Sequence, residues 1–442
     1  MTVHEHGHVS QVLRTAAEGP RPEHRWSAVH ERIAVERTQV DEAIDEGMEA
    51  YGFTTLLGHL ADGAMPPGRD DYASTQRALL EAHCIDSGVP RVEDRAITRL
   101  VAACKAQQLS HGGTGISAEA FAGIIRMLES DDRPIPLPLL YSYSSGDVIP
   151  AAWFVRTLLE RRHIDMLRRG DLIALLNGNY VSTAVGLLVL LQWSRISRRF
   201  VRLQRQTRDR LVIEPRLLPI SLRDLDPIVR QIRTGTRDLV DRLEWRLSVA
   251  SGNPLFRSGD SGRVEVDSQS SFLDFGLTQS LEQISGSVLT LSHLSQRALT
   301  HLCTRLEELE PDVAYRYVQA PKASAALLAQ ARLRITTTPL ALLSDSSNGI
   351  EDLWDLSLPT ALRLLDTLSL LQLQHRLLED VLRASADLES PPGDPAGPQA
   401  HAGGRGSHLD LLEELGLPVE ACDRLLSEQG HSVAGGGTHP DP

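Results

Sequence analysis

The sequence has almost no lysine: Lys105 and Lys322 are the only two in 442 residues, so nearly all of its 45 basic side chains are arginine. Acidic residues outnumber them at 58, and the formal net charge of −13 argues against a nucleic-acid partner, because phosphate neutralisation needs a basic face. Small or apolar partners are expected instead. Cysteine is scarce too. Cys84, Cys104, Cys303 and Cys422 are far apart, with no CxxC pair and no grouping with histidine, so no metal site is expected and a reduced, cytoplasmic protein is the default. No apolar run reaches the ~20 residues that span a bilayer. The longest, Val185 to Trp193, reads as a buried helix, and no membrane partner is expected. The polar, His-rich start lacks the charged-then-apolar pattern of a signal peptide.

What the chain does have is helical periodicity. Apolar residues fall on one face from Trp26 to Gly47, from Thr75 to Cys84 and from Arg91 to Leu109. Longer patterns follow over 224–248, 272–309 and 359–388, the middle one carrying Leu277, Leu281, Ile284, Leu291 and Leu294 without an intervening proline. Little reads as strand, so the expected fold class is mainly α, an elongated helical bundle, with helices long enough to pack against neighbouring subunits. The expected organisation is a flexible N-terminal tail over 1–25, a helical domain over 26–388, a Pro/Gly/Ala-rich linker over 389–407, a short helical segment over 408–430 and a disordered tail over 431–442. His4, His6 and His8 fall in the first tail and read as solvated.

One stretch carries chemistry of its own. In Tyr141-Ser142-Tyr143-Ser144-Ser145-Gly146-Asp147-Val148-Ile149-Pro150, Gly146 has no side chain to keep its nitrogen from the carbonyl carbon of Ser144. Closure there, with loss of the Ser145 hydroxyl as water, would give an electrophilic methylidene-imidazolone. The same residues are also ordinary turn formers, so the motif alone leaves both readings open.

Its company along the chain matters more. Tyr51-Gly52-Phe53-Thr54-Thr55-Leu56-Leu57-Gly58 is similar to the Tyr-Gly-Val-Asn-Thr-Gly-Phe-Gly loop of the histidine and phenylalanine ammonia-lyase family, which includes aminomutases. Leu79-Leu80-Glu81-Ala82-His83 resembles the family's helix ending in Ser-His. Ser144-Ser145-Gly146-Asp147 stands where the family has Ala-Ser-Gly-Asp, and Leu172 to Gly178 resembles Gly-Leu-Ala-Leu-Ile-Asn-Gly. Ser251 to Leu255 and Ile350-Glu351-Asp352 resemble Asp-Asn-Pro-Leu and Gln-Glu-Asp, so the likeness runs in order from Tyr51 to Leu388.

The resemblance implies a 4-methylidene-imidazol-5-one formed from Ser144, Ser145 and Gly146, with Tyr51 as base and Asn177 hydrogen-bonding the electrophile or the substrate. It further implies Tyr315 reaching the site from another subunit, Glu351 handling the amine proton, and a homo-oligomer, by resemblance a tetramer. His83, Tyr143, Arg316 and Val318 are the candidate substrate-binding positions. The implied activity is elimination or migration of an amine on a small amino-acid-like or carrier-bound substrate. A divergent homologue that performs another elimination, isomerisation or cyclisation without the ring, and a non-catalytic relative, stay open beside it.

The departures bear on that choice. Ser144 replaces alanine, which the ring tolerates because only that residue's carbonyl takes part. Tyr143 replaces glycine, and a bulky side chain is expected to restrict the backbone where cyclisation bends it. Thr54 and Leu56 replace asparagine and glycine and are expected to stiffen the tyrosine loop. Val318 stands where the family has the arginine that forks onto the substrate carboxylate. Such a charge-assisted pair contributes about 1.5–3 kcal/mol, so a substrate with its carboxylate masked as an ester or thioester is expected.

Overall fold

The computed structural model describes residues 7–20, 24–66, 69–144, 146–211, 213–259, 262–335, 352–387 and 409–428. Its frame is three long helices, Tyr180–Leu211, Phe275–Leu309 and Ser357–Asp387, packed on one another and flanked by Asp226–Leu247. The longest has 35 residues, about 50 Å at the helical rise. Leu277, Leu281, Ile284, Val288 and Leu291 of the middle helix are fully buried, as their spacing along one face requires. The span Asp171–Leu211, which includes Val185–Trp193, is long and apolar enough by length and composition to cross a membrane, yet its 18-residue apolar window is entirely buried within the fold.

Around this frame lie shorter helices that carry the site. Arg95–Leu109 starts at Asp94, whose carboxylate accepts the Ile97 N–H at 2.9 Å, and every residue from Ala96 to Leu109 is buried. Ala118–Glu129 is capped the same way by Ser117. Val148–Glu160 and the short Asp171–Leu176 pack against each other. The lower half of the bundle has its own apolar cluster, including Leu203, Leu211, Leu299, Leu302, Ala314 and Leu378.

One expectation is overturned, and two elements add to the sequence reading. Residues 7–18, read as part of a flexible tail, form the helix Gly7–Glu18. Val9, Val12, Leu13 and Ala16 are buried against Arg95–Leu109, and the His8 and Val9 amides donate to the Glu244 carboxylate at 2.9 and 2.8 Å. That carboxylate satisfies donors which a helix start leaves open. The polar flanks hid a four-residue apolar stripe. Strand is scarce among the described residues, where Leu255–Ser258 and Val264–Asp267 form an antiparallel hairpin. A helix not read from the sequence, Ala320–Arg334, follows Pro311–Arg316. The segment expected over 408–430 forms Leu411–Glu414 and Val419–Ser427, with Leu409, Leu411, Leu412, Cys422 and Leu425 buried. The proposed linker and final tail lie outside the described residues.

Candidate active site

The turn before Val148–Glu160 is held by its own side chains. Ser142 Oγ donates to Asp147 Oδ1 at 2.6 Å and accepts the Ser144 N–H at 3.0 Å. The second Asp147 oxygen accepts the Ser182 N–H at 2.8 Å, fastening the turn to the start of Tyr180–Leu211. Ser144, Gly146 and Asp147 all have left-handed backbones, with φ of +66°, +82° and +48°. For Ser144 and Asp147 this costs roughly 1–2 kcal/mol each, which the hydrogen bonds offset. Burial pushes the Asp147 carboxyl above its ordinary pKa, opposed by the Ser142 and Ser182 hydrogen bonds and by Arg246.

The strain does not fall where the sequence pointed. Tyr143 keeps a negative φ, and its ring stacks on Trp354 with centroids 4.2 Å apart and a 30° tilt. The Tyr143 carbonyl accepts the Leu356 N–H at 3.3 Å, and Ser144 Oγ accepts the Leu358 N–H at 2.7 Å. A hydroxyl in place of a methyl therefore caps the first turn of Ser357–Asp387 from across the chain. Tyr143 and Ser144 together seat the turn on that helix.

Beneath it lies a buried ionic centre. Arg246, with no exposed surface, donates to Asp274 at 3.1 Å, to Asp355 at 2.8 Å and to Ser182 Oγ at 3.0 Å. Asp355 also accepts the amides of Asp274 and Ser357, at 2.7 and 2.8 Å. Burial raises its pKa while Arg246 lowers it. Three helix starts are thus tied to the end of Asp226–Leu247, and Ser182, which meets both Arg246 and Asp147, joins this centre to the turn.

Asn177 ends Asp171–Leu176. Its N–H donates to the Ile173 carbonyl at 2.9 Å, its Nδ2 to the Asn253 carbonyl at 3.3 Å, and its own carbonyl accepts from Lys105 Nζ at 3.1 Å. Asn177 Oδ1 is buried without a hydrogen-bond partner among the described residues. It faces Gly146, where an added Cβ would lie 2.8 Å from it. Position 146 therefore needs glycine for both its φ and its closeness to this oxygen.

The Tyr51 loop meets the other side of the same short helix. A Cβ on Gly52 would sit 2.7 Å from Ile173, and buried Phe53 covers Gly170. Tyr51 Oη accepts the Gly58 N–H at 2.7 Å. Thr54 Oγ1 accepts the Ala50 N–H at 2.9 Å, and the Leu56 and Met65 amides cross-link the loop to Gly63 and Thr54. Asp171 orients the short helix: buried, 3.7 Å from Arg37, it accepts Ser117 N–H and Oγ–H, both at 2.8 Å.

Tyr51, Ser144, Gly146 and Asn177 thus converge on elements in direct contact. Ser145 and Glu351 lie outside the described residues. His83 ends Arg69–His83 with Nδ1 2.6 Å from the Leu79 carbonyl of its own helix. Tyr315 is 80% and Val318 49% exposed, and with Arg316 they belong to a segment seated on the lower cluster, so within one chain they do not join the others. Sequence reasoning missed Ser142, Arg246, Trp354 and Lys105. Only Lys105 left a mark in the sequence, as one of two lysines among arginines.

Known proteins resemble this chain in sequence and in fold. The sequence profile named aromatic amino acid lyase matches residues 8–166. A histidine ammonia-lyase of Caldanaerobacter subterraneus is 27% identical over 198 residues, 39% of this chain and 38% of its own. One from Symbiobacterium thermophilum is 24% identical over 334 residues, 62% of this chain and 64% of its own. The chain thus spans less than two thirds of either relative. Among solved structures, histidine ammonia-lyase from Trypanosoma cruzi superposes with a TM-score of 0.71 at 16% identity, covering 94% of this chain and 95% of that one. Phenylalanine aminomutase from Pantoea agglomerans gives 0.70 at 15% identity, covering 86% and 88%. These solved structures share the chain's fold, and over residues 8–166 its sequence is similar to the aromatic amino acid lyase family.

Proposed function

We propose that the protein is a carbon–nitrogen lyase or aminomutase that removes or relocates the amine of an amino-acid-derived substrate with a masked carboxylate. The observation that carries this reading is the buried Asn177 Oδ1, without a hydrogen-bond partner among the described residues, facing Gly146 in a left-handed turn. A methylidene-imidazolone built from Ser144, Ser145 and Gly146 fits this setting: Gly146 and Ser144 share the turn, and an orphaned acceptor stands beside them. Bond formation between the Gly146 nitrogen and the Ser144 carbonyl carbon releases that oxygen as one water, and the Ser145 hydroxyl leaves as a second. When formed, the group supplies an electron-poor carbon that makes an amine a better leaving group.

The chain's own residues do the rest. Tyr51 takes the proton from the carbon beside the one losing nitrogen. The Gly58 N–H donates to its oxygen at 2.7 Å, and a phenol, whose ordinary pKa is about 10, needs such donors to act as a base. Asn177 orients the reacting centre, and Asp147 keeps the turn fixed through Ser142 and Ser182. Val318 offers no fork to a free carboxylate, which supports an ester or thioester in its place. Tyr315, exposed within one chain, is available to a neighbouring subunit in a homo-oligomer.

Intact mass spectrometry tests the core of this reading. The protein is expected to be lighter than its sequence by two waters, and Ser145→Ala to restore the full mass. An unmodified mass in protein that releases ammonia from amino acid esters or thioesters would overturn the ring. Tyr51→Phe is expected to lower that release by several orders of magnitude while leaving the melting temperature near wild type; unchanged turnover would remove Tyr51 from its role.

A further inference from the structure

Lys105 is one of only two lysines in a chain that otherwise uses arginine, and it sits in the middle of the Arg95–Leu109 helix, which is buried from Ala96 onward. It has no exposed surface and no carboxylate partner among the described residues. An amine taken out of water without a counter-ion is costly, so its position calls for a reason.

Its surroundings supply one. Nζ donates to the Asn177 carbonyl at 3.1 Å, stands 4.6 Å from the centre of the Tyr180 ring, and would be 3.5 Å from a Cβ on Gly178. Asn177, Gly178 and Tyr180 all belong to the junction between Asp171–Leu176 and Tyr180–Leu211. One helical turn along, Gln108 reaches the same segment, donating to Asn179 Oδ1 at 2.6 Å. The far side of the turn is held by the Asn179 N–H to Ser251 Oγ at 3.2 Å and Asn177 Nδ2 to Asn253. The turn is therefore gripped from two sides, and the Lys105 side is the one that reaches the Asn177 main chain. A guanidinium would be too broad here: Gly178 and the Tyr180 face leave room for a compact point donor.

We propose that Lys105 is a positioning residue: by holding the Asn177 carbonyl and the Tyr180 ring it fixes the Asn177–Tyr180 turn so that Asn177 Oδ1 faces Gly146. The inference rests on the reading of Ser144–Gly146 and Asn177 as the reacting centre. Burial alone pushes the Lys105 amine down to about 7, which agrees with a group whose worth lies in its hydrogen bond and not in an ion pair.

The test compares full-length wild type, Lys105→Met, Lys105→Arg and Asn177→Ala by two measurements. Deuterium uptake over residues 176–182 reads the turn directly and does not depend on the ring, and intact mass reads the fraction lighter by two waters. Lys105→Met keeps the volume of the stem and removes the donor. It is expected to speed uptake in that peptide about five-fold or more, with the Phe275–Leu309 helix unchanged, and to lower the dehydrated fraction to that of Asn177→Ala. Lys105→Arg, which keeps a donor but not its size, is expected to fall between. If Lys105→Met does not fold, Lys105→Gln is read by the same criteria. Unchanged uptake with an unchanged mass would overturn the proposal. A wild-type mass with no loss of water would overturn the ring reading alone, and uptake would then decide Lys105 by itself.

Discussion

Arg246→Met puts the buried centre to the sharpest test. Arg246 is fully buried and donates to Asp274, Asp355 and Ser182, with Thr183 and Ser357 at 3.4 and 3.3 Å. Methionine fills much of the stem's space, so packing loss is small and the electrostatic change dominates. It leaves two carboxylates without their cation, one of them, Asp355, with no exposed surface. Removing one partner of such a pair costs about 3–5 kcal/mol, well beyond the ~1 kcal/mol of an exposed pair. The sign with pH follows from burial, which raises the Asp355 pKa and which Arg246 opposes. In the variant that opposition is gone, so Asp355 binds its proton at higher pH when folded than when unfolded. The deficit relative to wild type is therefore full near neutral pH and shrinks as pH falls through the raised pKa. Urea denaturation of both proteins from about pH 8 down to about pH 4.5 reads this directly. Adding Asp355→Asn to the variant is expected to recover part of the loss at neutral pH. A deficit below about 1 kcal/mol, or one that does not change with pH, would refute the reasoning.

Two further expectations come from other parts of the fold. His375, fully buried on Ser357–Asp387, is pushed down to about 3 by burial and by Arg199 and Arg202. It is thus neutral when folded but gains a proton when unfolded below about 6.5, so its contribution is present above that pH and lost as pH falls toward 3. Between about pH 7.5 and 5.5 the loss is about 1.4 kcal/mol, and His375→Leu is expected to remove it; equal pH slopes in denaturant melts would refute the assignment. Ser144→Ala deletes the acceptor for the Leu358 N–H and should cost about 1 kcal/mol, as cap losses do. The two-water mass loss should survive it, because only the Ser144 carbonyl enters the ring, and a stability equal to wild type would show that the cap contributes nothing.

The helical class and the neighbourhood of the site were legible in the chain itself. Periodicity records which face of a helix is buried, which is why Leu277, Leu281, Ile284 and Leu291 are found in the core. The ordered segments around Tyr51, Ser144 and Asn177 come together because each needs glycine or a short polar residue where backbones approach closely, a need written in residue type. The same signal failed at the ends: a helix of 12 residues with polar flanks read as a tail until Val9, Val12 and Leu13 were seen against Arg95–Leu109.

What a polar side chain does was decided by tertiary structure. Ser144 caps an amide 214 positions away, and Arg246 meets a carboxylate 109 positions away. Tyr143 was expected to strain the turn, yet the φ of +66° falls on Ser144 while the Tyr143 ring packs at a 30° tilt on Trp354. A hydrogen bond or ion pair depends on the direction of two groups to within an ångström or so, and nothing in the local sequence carries that direction. The chain by itself determines which segments make up the candidate site; the packed fold determines which oxygen faces Gly146 and which amine reaches the Asn177 carbonyl.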